Sequence, residues 1–256
     1  IVANIMLSIN LPFINSTTSM YKSNAGVSLT ERIRGQLLTS SQTGDMLFDT
    51  KVQPNKGYFL TRAFIDSNSN GIRDKNEVYL TKVGINSERL GMTAGGAAMN
   101  RYDDKTNIFS ANSYQDYVLS VRSRDLDDPF WVPLYDGIKV KAEPNKLKTI
   151  EIPIVNGGIV KGAITLKDGT PATGITVSIK KEDSKSGSKN GFKMTSTNSF
   201  GEFDFPAVPP GRYKVYLDTD EISKAGYVAE PDYTTVEVTG EPGKEFIDVM
   251  FTLKQR

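Results

Sequence analysis

The chain contains no cysteine and no histidine. Disulfides, thiol nucleophiles, His-based triads and the usual zinc sets are therefore excluded. A chain without thiols suits any redox compartment, a cell exterior included. Net charge is only +1 over 256 residues. Nothing electrostatic points to nucleic acid as a partner. No run of about 18 apolar residues occurs, so no transmembrane helix is expected. There is a single tryptophan, Trp131. No charged n-region with an apolar core precedes the body of the chain, which reads as a mature segment or a piece of something longer.

What is present is strand-like. From position 157 onward, GGIVKGAITL, PATGITVSIKK, FKMTSTN, EFDF, YKVYLD, YTTVEVT and FIDVMFTL are separated by Gly, Pro, Asp and Asn. Short segments with such breaks predict an antiparallel sandwich or barrel. Ile175, Val177 and Ile179 alternate, as do Phe203 and Phe205, so one face of each strand should be buried. Residues 219–232 read as a looser stretch between strands.

An internal repeat suggests how the chain is divided. Residues 117–154 parallel 213–253: a Tyr-led strand, an acidic segment, a strand, a Pro-x-Lys turn and a closing strand. A period near a hundred residues fits two similar sandwiches in series better than a solenoid, whose units are about 20 to 50 residues. The expected domains are 57–155 and 156–256, with a separate segment 1–56. In that segment Ile5, Leu7, Ile9, Leu11 and Phe13 alternate with polar residues. So do Val27, Leu29, Ile33 and Leu37, and Met46, Phe48 and Val52 continue the pattern. These predict either strands of a further sheet or spans of an outer-membrane barrel, which need about ten alternating residues each. Glu31 on the apolar face of the second run argues against lipid there.

The most specific motif is DSNSNGIRDKNE, residues 66–77. Asp66, Asn68, Asn70, Asp74 and Glu77 stand at loop positions 1, 3, 5, 9 and 12, with the Ile72 carbonyl at 7. Calcium takes six to eight hard oxygens, and a loop this short wraps it only with a glycine at the sharp turn, here Gly71. The alternative is an Asx-rich hairpin that needs no ion. Arg73 stands where the helical calcium loop has an apolar residue, and FLTRAFI before the loop reads as a strand. The expected role is structural, at an affinity of roughly 10⁻⁴ to 10⁻³ M.

FIDSNSNGIRDKNE resembles the calcium loop of the B-repeat-like domains of staphylococcal serine–aspartate repeat surface proteins, through Phe64, Asp66, Asn68, Asn70, Gly71, Asp74 and Glu77. The resemblance implies a prealbumin-like, immunoglobulin-related sandwich. The later turn of that family is at best degraded in TAGGAAMNRYDDKT, residues 93–106. Residues 158–253 resemble the carboxypeptidase-regulatory-like domain, which implies a transthyretin-like sandwich serving as spacer or recognition module. DLDDPFWVP (125–133) and residues 27–60 are similar in arrangement to usher-like outer-membrane proteins, implying that 1–56 ends a barrel and the rest forms soluble domains.

Other candidates are weaker. Asp125, Asp127, Asp128 and Trp131 could form a binding edge for a sugar or peptide, or a loop whose Trp131 caps a core. Lys161 and Asp248 could meet as an amide crosslink; the plainer expectation leaves Lys161 in solvent. No carboxylate pair has a spacing that suggests glycoside chemistry. KEDSKSGSKNG (181–191) lacks the ending of a phosphate-binding loop and reads as a solvated hairpin.

Together these give an all-β, non-enzymatic protein of tandem immunoglobulin- or transthyretin-like sandwiches, at a bacterial surface or envelope. The leading expectation is a spacer or adhesion module with structural calcium and a protein or glycan partner. The alternatives are the C-terminal region of an usher-like assembly protein, with outer-membrane association through 1–56, and accessory domains of a larger secreted enzyme.

Overall fold

The computed structural model describes residues 2–11, 14–50, 53–91, 95–182, 192–241 and 246–255. Phe13, Val52, the start of the 93–106 segment, most of the 181–191 loop and the second Pro-x-Lys turn (242–244) lie outside the described residues.

The chain is all-β. Its strands are β1 (Ala3–Leu11), β2 (Ile14–Ser23), β3 (Gly26–Arg34), β4 (Gln36–Thr39), β5 (Met46–Asp49), β6 (Lys56–Ile65), β7 (Ile85–Arg89), β8 (Ala98–Arg101), β9 (Asn107–Asn112), β10 (Asp116–Val121), β11 (Trp131–Pro133), β12 (Ile138–Lys141), β13 (Leu147–Asn156), β14 (Gly158–Leu166), β15 (Thr176–Lys181), β16 (Phe192–Ser196), β17 (Glu202–Val208), β18 (Gly211–Leu217), β19 (Tyr227–Glu230), β20 (Tyr233–Val238) and β21 (Phe246–Gln255). A 3₁₀ turn covers Ser123–Asp125, and among the described residues one short helix, α1, covers Thr219–Lys224.

The sheets run β1-β2-β3, β4-β5, β12-β10-β7, β11-β13-β6-β9-β8, β17-β14-β21-β19 and β16-β15-β18-β20. The internal repeat is visible in them. β10, the 3₁₀ turn, β11, β12 and β13 follow one another as β18, α1, β19, β20 and β21 do. In both sets the short strand pairs antiparallel with the closing one. Tyr117 and Tyr213, which lead the two sets, are both buried.

The chain forms two compact units: Ile1–Thr61 with Ser87–Val118 and Lys139–Ile150, and Arg62–Asn86 with Leu119–Ile138 and Glu151–Arg256. In the first, the β4–β5 hairpin turns Leu38 and Leu47 onto Tyr58, Leu60, Ile108 and Leu147. Phe59 meets Tyr117 edge to face at 5.9 Å, a favoured ring geometry. The Tyr58 hydroxyl donates to Asp49 Oδ2 at 3.3 Å. Burial first, then the Asp49 charge, pushes Tyr58 up to about 12. An unfolded tyrosine ionises near pH 10. Because the folded value is the higher one, this stabilisation is complete below pH 10 and is lost as pH climbs toward 12. Alkaline unfolding should therefore steepen across that window, and Tyr58→Phe should flatten the slope in a denaturation series against pH.

In the second unit, β14–β21 build a two-sheet sandwich. Its core includes Val160, Ile164, Val177, Ile179, Phe203, Phe205, Val215, Phe251 and Leu253. The alternating residues of β15 and β17 thus face inward as expected. Gly162 on β14 permits this closeness: a Cβ there would lie 1.9 Å from the Val249 carbonyl oxygen and 2.7 Å from the Phe203 ring.

The stretch read as loose holds α1 and strand β19. Asp218 caps the helix, its carboxylate accepting from the Asp220 and Glu221 backbone N–H groups at 3.0 and 3.1 Å, and Ile222 is buried. The signal was present in the sequence as Asp218-x-x-Glu221, a helix-start pattern.

Candidate functional site

Loop 66–77 is a hairpin loop that leaves β6 and returns through the Phe64–Tyr79 bridge. No helix flanks it. Asp66 and Glu77 are buried at 2% and 6% exposure. Burial of a carboxylate requires donors, and the backbone supplies them. Asp66 Oδ1 accepts from Asn70 N–H at 3.2 Å and Oδ2 from Gly71 N–H at 2.8 Å. Glu77 Oε1 accepts from Ser67 N–H at 2.8 Å and Oε2 from Asp74 N–H at 2.9 Å. Asn68 and Asn70 each accept from the N–H two residues on, making Asx turns. Gly71 has φ +77°, and a Cβ there would lie 2.6 Å from the Tyr135 hydroxyl. The positive φ favours glycine, while the Tyr135 hydroxyl ends a half-exposed side chain that can give way.

The donor chemistry of the loop suits a hard cation, since every predicted ligand is an oxygen. Yet the Asn68 and Asn70 side-chain amides turn their N–H₂ groups to Asp74 Oδ2 at 2.9 and 3.3 Å. Among the described residues, no three His, Cys, Asp or Glu side chains gather into a group that could hold a metal. An ion in this loop would thus depend on amide and carbonyl oxygens as much as on carboxylates, and the two amides would have to rotate. The Ile72 side chain is exposed.

Arg73, out of place for a helical calcium loop, has its own work. It reaches Glu151 Oε1 on β13 at 3.4 Å and donates to the Glu77 carbonyl at 3.2 Å. Its guanidinium stacks 4.6 Å from the Tyr79 ring centroid. The Tyr79 hydroxyl donates to the same Glu151 oxygen. Burial, then that hydrogen bond, pushes Tyr79 above its ordinary value. The loop is thereby tied to β13, a contact that motif spacing does not reveal.

The second feature is the β1-β2-β3 sheet. Register sets Ile5 across from Met20 and Met20 across from Leu29. Ile9, Ser16 and Ile33 form another row. Ile5, Leu7, Ile9, Val27, Leu29 and Ile33 are each 50–69% exposed. The opposite face is mostly polar and hollow: Asn10, Asn15, Thr17, Ser19, Arg32 and Arg34, with Met6, help line a depression of about 340 Å³. Glu31 and Lys22 also lie on the apolar face, across from Thr18 and Val27, and the central strand adds Ser16 and Thr18 to it.

The remaining candidates dissolve into structure. Asp125 pairs with Arg122 at 3.0 Å, and Asp128 accepts from Phe130 N–H at 2.8 Å. Trp131 is half-buried on β11, opposite Asn156. Lys161 and Asp248 are partners on parallel strands, 3.6 Å apart and both well exposed. That is a surface ion pair, not the desolvated setting that a crosslink needs.

Fold and sites together define an all-β chain whose C-terminal strands form a transthyretin-like sandwich. Residues 159–251 match the family model of the carboxypeptidase regulatory-like domain. No curated protein sequence matches the chain. Among solved structures, the Bacillus anthracis TIE protein aligns at 12% identity and TM-score 0.32, over 99% of this chain and 44% of that one. The chain thus spans under half the length of that protein. The minor pilin of Streptococcus agalactiae aligns at 13% and 0.36, over 78% of this chain and 96% of that one. Shaft pilin SpaA from Lactobacillus rhamnosus GG aligns at 10% and 0.31, over 77% and 97%. Likeness at these scores assigns no function. Among the described residues no helix is long and apolar enough to cross a membrane, which says nothing of strands.

Proposed function

We propose that this chain is a non-catalytic structural part of a bacterial envelope protein, in which β1–β3 belong to an outer-membrane barrel and the later strands form soluble spacer domains. The supporting observation is the two-faced sheet. Strands of nine and ten residues have the length of membrane β-strands. Their apolar face is uncovered, and the polar face is concave, as a barrel requires of lipid side and lumen. Three strands do not close a barrel, so neighbouring strands would come from elsewhere in the protein that carries this segment. Glu31, one residue past the middle of β3, stands at the depth where a charge on the lipid face costs most, and it is the feature of this face that counts most against lipid. The face as a whole still favours the usher-like arrangement over a wholly soluble spacer. The sandwich, matched to a regulatory-like domain, would serve as spacer or recognition module, with a protein or glycan as its partner. Calcium in loop 66–77, held by Asp66, Asn68, Asn70, Asp74, Glu77 and the Ile72 carbonyl, would be structural.

These 256 residues hold no cysteine, so a single cysteine introduced into them reports on its own position once any cysteine elsewhere in the protein is replaced. In the membrane-inserted protein, Thr17→Cys should react with a water-soluble maleimide and Ile5→Cys should be protected until the membrane is dissolved in denaturing detergent. Equal labelling of both positions in intact membranes would overturn the barrel assignment.

A further inference from the structure

We propose that the β4–β5 hairpin is a membrane-interface anchor, seating Leu37, Met46 and Phe48 at the headgroup boundary of the same bilayer. This rests on the barrel reading of β1–β3.

Register makes the hairpin two-faced: Leu38 opposes Leu47, while Leu37 opposes Phe48 and Thr39 opposes Met46. The inner pair is buried at 3% and 6% in the cluster with Tyr58 and Leu60. On the outer face Leu37, Met46 and Phe48 are 54%, 59% and 51% exposed. Three large apolar side chains on so small a hairpin present a contiguous patch of the kind that marks an interaction surface.

The hairpin is also held firmly. Ser40 N–H donates to the Asp45 carbonyl at 2.8 Å, closing the turn. Thr43 and Thr149 both donate to Asp45 Oδ2, at 2.5 and 2.9 Å. Gln36 Nε2 donates to Asn145 Oδ1 at 3.2 Å. The outward display of apolar groups is thus set by a packed inner face and a bonded turn.

Continuity selects lipid as the occupant. Only Gly35 separates β3 from β4. Leu37 keeps the odd-numbered phase of Val27, Leu29 and Ile33. At about 3.3 Å per residue, Leu37 lies about 13 Å along the chain beyond Ile33. That is just past the strand length needed for the apolar band, where aromatic and apolar side chains meet headgroups.

The test uses the protein that carries this chain, reconstituted in phosphatidylcholine–phosphatidylglycerol vesicles brominated at a shallow or a deep acyl position. Phe48→Trp and Leu29→Trp are compared with the parent, whose own tryptophans, Trp131 among them, supply the baseline. The indole at position 48 is expected to be quenched most by shallow bromine and the one at position 29 by deep bromine. Quenching at 29 with none at 48 overturns the anchor and leaves the barrel standing. No quenching at either position overturns both. Near-ultraviolet circular dichroism matching the parent confirms that each variant is folded.

Discussion

Phe251→Ala is expected to destabilise the C-terminal sandwich by about 3–5 kcal/mol, the cost of deleting a buried aromatic ring and leaving a cavity. Phe251 is 1% exposed on β21, the strand that pairs with β14 on one side and β19 on the other. The ring sits in the common core with Phe205, Val215 and Leu253. A mid-sheet strand has no free edge along which to shift, so the void is filled poorly. Since most domains hold only about 5–15 kcal/mol in all, the loss should be visible as faster amide exchange in β14 and β21 and also in β15 and β18 of the facing sheet. Faster exchange in β14 and β21 with none in β15 and β18 would show that the two sheets do not share one core.

Asp66→Ala should have the second-largest effect. The carboxylate is buried and accepts the Asn70 and Gly71 N–H groups. Its removal strands the Gly71 N–H, costing about 1–3 kcal/mol, while the Asn70 N–H keeps Asn68 Oδ1 as its acceptor. A loss of about 1–3 kcal/mol in thermal or urea denaturation is expected even in chelator, because these bonds need no ion. Calcium enters separately. At a dissociation constant of roughly 10⁻⁴ to 10⁻³ M, an ion bound only by the folded form adds about 0.4–1.4 kcal/mol in millimolar calcium. The parent should melt higher in millimolar calcium than in chelator, and Asp66→Ala should lose that difference. A parent midpoint identical in both conditions would remove calcium from the account while leaving the hydrogen-bonded loop intact.

How much of this was legible beforehand depended on whether one face of a segment was chemically distinct. Ile175, Val177 and Ile179 announced their buried side, because their neighbours Thr176, Ser178 and Lys180 are polar. The 66–77 loop was legible for the same reason, its oxygens falling at fixed spacings around Gly71. In β4 and β5 both faces are apolar, so period-2 reasoning selected Leu37, Met46 and Phe48 and passed over Leu38 and Leu47. Only packing against Tyr58 and Leu147 determined which side turned inward. The helix α1 was missed although Asp218 and Glu221 marked its start, because the surrounding strands dominated the reading.

Strand identity, the hundred-residue repeat and the oxygen-rich loop were determined by the amino-acid order alone, since alternation, turn residues and ligand spacing are local properties of the chain. Three things were decided only by tertiary structure: Arg73 bound to Glu151, the amides of Asn68 and Asn70 turned to Asp74, and a β1–β3 sheet with its apolar side uncovered. Each depends on which distant group arrives beside a residue, or on none arriving, and spacing along a chain carries no record of that.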